Sequence, residues 1–140
     1  MSAKVNPADW HKDQSKIRAL RDQVFVREQK VPAHIEWDDQ EATAQHFLLH
    51  CDGSVVGTGR ITTTGKIGRM AILREKRGLG LGRQLLESIC HHAQTRGLDQ
   101  VYLHAQCHAE AFYRKCGFEP VGEQFFEAGI AHIKMVRRFV

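Results

Sequence analysis

The segment Arg77-Gly78-Leu79-Gly80-Leu81-Gly82-Arg83 is the part of this chain whose residue types and spacing most plainly suit chemistry. Glycines let backbone amides turn toward a ligand that side chains would exclude, and a helix beginning there adds partial positive charge. Such a loop, flanked by arginines, suits a phosphate group.

Two well-known phosphate loops do not fit. A Walker loop ends in Gly-Lys-Ser/Thr, whereas Arg83 and Gln84 follow Gly82. A dinucleotide fingerprint needs G-x-G-x-x-G, and Arg83 stands where the third glycine belongs. Asp99 precedes its strand rather than ending it, which is the wrong place to grip a ribose.

The elements around the loop follow from hydrophobic period. Ile17, Leu20 and Val24, joined by the stem of Arg21, share one side of a helix over Ser15 to Arg27. His46 to Cys51 and Val55 to Ile61 read as strands around an Asp52-Gly53 turn, and Ile67 to Leu73 as a third, an antiparallel meander. From Gly82, Leu85, Leu86, Ile89, Cys90 and Ala93 fall on one helical face closed by Gly97. Val101 to Ala105 alternates as a strand, Ala109 to Cys116 forms a short helix ending at Gly117, and one or two strands close the chain. The order helix, three strands, helix, strand, helix, strands predicts a single α/β domain over residues 1–140.

Composition excludes several classes. A net charge of +4 without a basic stripe disfavours a nucleic-acid binder. No run approaches the ~20 apolar residues of a membrane span and the N-terminus lacks a signal-peptide stretch, so a cytoplasmic protein with no membrane partner is expected. Cys51, Cys90, Cys107 and Cys116 contain no C-x-x-C pair and read as reduced thiols packed as small hydrophobes. His104 and His108 straddle a strand-to-helix junction while His91 and His92 point apart, so no metal site is expected.

With Arg77, Gly80 and Gly82, the loop matches a Q/R-x-x-G-x-G/A pattern and resembles the coenzyme A pyrophosphate loop of the GNAT acetyltransferases. Gln106-Cys107-His108-Ala109-Glu110-Ala111-Phe112-Tyr113-Arg114-Lys115-Cys116-Gly117-Phe118 looks like that superfamily's second signature, with Gln106 where many members have Asn. Val24 to Pro32, the acidic stretch Glu36, Asp38 and Asp39, the Ala105-Gln106 pair, and Gly129-Ile130-x-His132-Ile133-x-Met135 narrow the resemblance to the ElaA-like branch, in which Gln106 is the expected residue.

The resemblance implies the GNAT fold, a mixed and mostly antiparallel sheet flanked by helices. It implies an N-acetyltransferase moving acetyl from acetyl-CoA, with no metal, to a primary amine of a small molecule or peptide by direct attack in a ternary complex. A homodimer is common in the superfamily. By the same resemblance pantetheine lies along Met70, Ala71 and Ile72 at a gap between strands, where a bulge opens the sheet, with the Ile72 N–H as oxyanion donor. Arg77, Gly78, Leu79, Gly80, Leu81, Gly82 and Arg83 hold the pyrophosphate, Arg74 or Lys76 the outer phosphate, and Gln106 contacts the carrier. Tyr113 occupies the general-acid position, also against the carrier.

The residues leave the base open among His104, His132, Glu28, Glu36 and Asp38, of which His104 stands beside the gap. Glu28, Asp38 and His132 are candidate acceptor contacts, and the acidic run from Glu36 to Glu41 suits a cationic amine. A non-catalytic acyl-CoA-binding module is the alternative.

Overall fold

The computed structural model describes residues 2–139, and of residues 34 and 35 the backbone alone. Seven strands make one sheet: β1 (Ala3–Ala8), β2 (Gln45–Cys51), β3 (Ser54–Ile61), β4 (Lys66–Ile72), β5 (Gln100–Gln106), β6 (Glu119–Glu127) and β7 (Ile130–Arg138), in the order β1-β2-β3-β4-β5-β7-β6. All neighbours pair antiparallel except β4 and β5. The helices are α1 (Trp10–Arg21), α2 (Ala33–Glu36), α3 (Leu81–Thr95) and α4 (Glu110–Lys115).

Strand β1 is absent from the sequence reading. Its Pro7 weakens any strand pattern, but β1 is an edge strand paired only with β2, where a missing N–H is tolerated. The first helix begins five residues earlier than expected, because the Asp9 side chain caps it by accepting the His11 N–H at 2.8 Å. Beyond Arg21 the chain continues as a π-helix over Asp22–Glu28, whose wider turns end with the Gln29 N–H on the Val24 carbonyl.

The core lies between the sheet and α3. Leu85, Leu86 and Ile89 are wholly buried against Ile61, Val101 and Leu103, each such side chain contributing about 1.5–3 kcal/mol relative to exposure. Along β5, Val101, Leu103 and Ala105 are buried in this core. Tyr102, His104 and Gln106 alternate to the other face, which faces the π-helical segment.

Two irregularities shape that other face. On β4, Gly68 to Ala71 spans the same distance as Arg60 to Thr58 on β3, so one extra residue forms a bulge. Arg69 at this bulge holds φ +51, rare for a residue with a side chain. Beyond it, β4 and β5 pair only through Lys66 with Tyr102 and Ile67 with Leu103, and the strands then part.

Candidate active site

The parting of β4 from β5 leaves backbone groups of β4 facing a gap. Leu73 donates its N–H to Val56 on β3 at 2.9 Å, and since successive amides alternate in direction, the Ile72 N–H points to the opposite edge. The Ile72 carbonyl on that edge accepts from Arg77 Nε at 2.9 Å. Ala71 is buried against Leu20 and Val24, and Met70 packs on the main core while reaching the cavity described below.

The glycine loop runs from the end of β4 to α3. Gly78 and Gly80 both hold φ +80, where a side chain is strained, and a Cβ on either would meet no atom within 4 Å. Space is therefore open above the loop. Gly80 precedes the first residue of α3, so the N–H groups of Leu81, Gly82 and Arg83 begin the helix without partners from a preceding turn. No acidic residue occupies that first turn, Arg83 is exposed, Leu79 is half exposed and Leu81 is buried. These features together suit an anionic group held by backbone amides, which is what a pyrophosphate needs.

Arg77 is engaged elsewhere. Its guanidinium grips Glu28 with two hydrogen bonds, one of 2.8 Å from Nη2, tying the loop to the end of the π-helix. The Arg77 bond, outweighing slight burial, holds the Glu28 carboxyl below its usual range. Glu28 and Arg77 thus form a strut outside the cavity where an acceptor contact was expected of Glu28. The Arg74 and Glu28 groups lie 3.7 Å apart.

A cavity of about 470 Å³ opens on the face of β5 turned from the core, between the π-helical segment, the β3–β4 wall and the β6–β7 hairpin. Met70, His104, Gln106, Tyr113, Asp38 and His132 all line it, drawn from four elements and the segment after α2. Gln106 donates its side-chain amide to Gln29 at 3.0 Å, which joins β5 to the end of the π-helix. Tyr113 is half-buried on α4 with its ring edge-on to Phe112 and Phe118, and burial pushes its phenol up to about 12. It therefore stays protonated at neutral pH and able to donate.

His104 has a partner that no motif announced. Its Nδ1 lies 2.7 Å from Glu127 Oε1, and Phe125 packs edge-on against its ring at 4.9 Å. A carboxylate can only accept, so Nδ1 carries the hydrogen and Nε2 is left as the basic nitrogen. Burial raises the Glu127 carboxyl, but the His104 bond together with the charges of His104, Lys66 and His132 outweighs it and holds the group below its ordinary value. The Ala128-Gly129 turn, with φ +50 and +75, folds Glu127 back opposite Ile130. That Ala-Gly pair was the one local signal for this corner. His132 donates Nδ1 to the Ile130 carbonyl at 2.7 Å, and its Nε2 stands 3.9 Å from Glu127.

The acidic stretch is not an open negative patch. Arg21, only 1% exposed, donates to Glu36 at 2.7 Å and to both oxygens of Glu41 at 3.0 and 2.8 Å. Arg60 grips both oxygens of Asp38 at 2.9 and 2.7 Å and reaches Glu41 at 2.7 Å. The Arg60 bonds prevail over burial and hold the Asp38 carboxyl far below its usual range. Arg69 adds contacts of 3.3 Å to Asp38 and 3.4 Å to Glu36. Three guanidinium groups thus answer three carboxylates, so the expected attraction for a cationic amine is neutralised within the fold. Sequence reading missed Arg21, Arg60 and Arg69 because their partners are 15 to 33 positions away.

Residues 10–139 match the family described as acetyltransferase (GNAT) domain. The ElaA protein of Escherichia coli is 36% identical over 132 residues, covering 86% of this chain and 84% of ElaA. Its crystal structure superposes with a TM-score of 0.88 over 98% of this chain and 100% of that one. An acyl-CoA N-acyltransferase from Pseudomonas aeruginosa is 34% identical, with a TM-score of 0.86 over 97% of this chain and 99% of its own. A GNAT family acetyltransferase from Elizabethkingia anophelis, solved with acetyl-CoA bound, shares the fold at a TM-score of 0.74 and 13% identity, over 98% of each chain. The chain belongs to the GNAT acetyltransferases, in the branch that contains ElaA.

Proposed function

We propose that this protein is an acetyl-CoA-dependent N-acetyltransferase acting on a primary amine by direct attack. The observation that carries the reading is the parting of β4 from β5, which leaves the Ile72 N–H facing the parted edge two residues beyond Met70, a lining residue of the cavity that holds Tyr113 and His104. The open glycine loop at the start of α3 supports a carrier pyrophosphate, with Arg83 at hand and the backbone amides of Gly78 to Gly82 as donors. Gln106 and the β4 segment Met70 to Ile72 would flank the carrier's arm, adding contacts along a strand edge.

The acceptor nitrogen forms a bond to the thioester carbon as the carbon–sulfur bond breaks. The Ile72 N–H stabilises the negative charge that develops on the carbonyl oxygen. His104 Nε2 takes the proton lost by the amine, while Glu127 stabilises the imidazolium through Nδ1. Tyr113 gives its phenolic proton to the departing thiolate; with a pKa near 12 it regains a proton readily afterwards. The neutral pairing of Arg21, Arg60 and Arg69 with their carboxylates keeps the remaining wall rigid.

The test is thiol release from acetyl-CoA across an amine panel, together with calorimetry of acetyl-CoA binding. Tyr113→Phe is expected to lower kcat about 100-fold or more while acetyl-CoA affinity changes little. Undiminished turnover would remove Tyr113 from the mechanism, and tight carrier binding without turnover of any amine would favour a non-catalytic binding module.

A further inference from the structure

We propose that the amine acetylated here also carries a carboxylate, gripped by Arg69 and Lys66 beside Arg60 on the β3–β4 wall, an assignment that rests on the acetyl-transfer reading above. Each carboxylate lining the cavity already has a partner, Glu36 Oε2 accepting from Arg21 Nε at 2.7 Å. Asp38 Oδ1 accepts from Arg60 Nη1 at 2.9 Å and from the Gln40 N–H at 3.0 Å, and Oδ2 from Arg60 Nη2 at 2.7 Å and Arg69 Nη2 at 3.3 Å. Glu127 is tied to His104. An ammonium entering from solvent would meet carboxylates already paired with a guanidinium or with His104.

Donors, in contrast, are in surplus. Arg60 is only 5% exposed, yet its Nε finds no acceptor among the described residues. A buried donor left unpaired costs about 1–3 kcal/mol, and it adds to the excess of positive charge on this wall. Arg69 makes only long contacts through Nε and Nη2, and its Nη1 has no acceptor among the described residues. Lys66, half-buried and lining the cavity, makes no ion pair within 4 Å among them. Guanidinium forks match planar carboxylates, so the missing partner is best supplied by one.

Backbone strain points the same way. The bulge holds Arg69 at φ +51, a conformation that costs an ordinary residue about 1–2 kcal/mol. Strain of this kind persists where surrounding structure enforces it and clusters at ligand clamps. Here it sets Arg69 on the wall across the open sheet from His104, since Lys66 and Ile67 pair with Tyr102 and Leu103 beside it. A zwitterionic acceptor would then place its carboxylate on the β3–β4 wall and its amine toward His104.

The experiment compares amino acids of differing chain length with their own carboxamides as acceptors for the wild-type protein. A preference of about tenfold or more in kcat/KM for the carboxylate member of at least one pair is expected, tenfold corresponding to about 1.4 kcal/mol. Arg69→Gln should bring the members of that pair close to equality by raising KM for the acid, and Arg69→Lys should keep part of the preference. Carboxamides used as well as or better than the acids, or a preference that survives Arg69→Gln, would overturn the assignment. If no member is acetylated, calorimetry of the same pairs against CoA-loaded protein decides: tighter binding of an acid supports the proposal, and equal or absent binding overturns it. Failure of acetyl-CoA itself to bind would sink the acetyl-transfer reading and this assignment with it, and that failure is visible separately.

Discussion

The glycine loop and the acceptor cavity adjoin each other but are built in opposite ways. The loop is one contiguous run whose shape follows from two left-handed glycines and a helix start, and almost nothing packs on it. The cavity wall is backed by a network of six charged side chains gathered from α1, α2, β3, β4 and the segment after α2. A site of backbone amides needs only local conformation. A site of paired charges needs every partner in place, because a buried charge without its partner is far costlier than an absent pair.

That contrast can be broken at several points. The largest effect is expected from Arg21→Ala, which leaves buried Glu36 with only the 3.4 Å contact of Arg69 and Glu41 with Arg60 alone, and should cost about 3–5 kcal/mol in urea unfolding. A loss below about 1 kcal/mol would mean that the wall is not the cooperative unit described. Gly80→Ala should cost about 1–2 kcal/mol, since the new Cβ meets no atom and only the left-handed backbone objects. An unchanged unfolding midpoint would show that the loop relaxes to another shape, and acetyl-CoA affinity should fall with it.

The smallest effect concerns pH. Glu127 has its carboxyl lowered in the folded state, so its contribution to stability is present above the ordinary carboxylate value and lost as pH falls through the lowered one. Glu127→Gln should therefore flatten the acid limb of a melting-temperature profile slightly, because the group is nearly half exposed and screened by solvent. An acid limb identical to that of the wild type would remove the His104 bond as a source of stability.

Much of the fold was legible, for reasons that differ by element. The period of Leu85, Leu86, Ile89 and Ala93 predicted α3, and alternation predicted β5, because each faces a core on one side. Strand β1 was not legible, since Pro7 and its exposed edge erase the alternation that marks paired strands. The π-helical extension was not legible either: Val24 continues the helical face, and only packing decides that the turns widen after Arg21.

For the candidate site the division is sharper. Residue order alone determined the open glycine loop, the tyrosine on a short helix and a histidine on the cavity face of its strand, because backbone preference and period act within a few positions. Tertiary structure alone decided that Glu127 partners His104, that Arg77 holds Glu28, and that an acidic run becomes neutral ground. Those pairings join side chains from 15 to 49 positions apart. Electrostatic partners are chosen by distance in space, and no local pattern of residues encodes it.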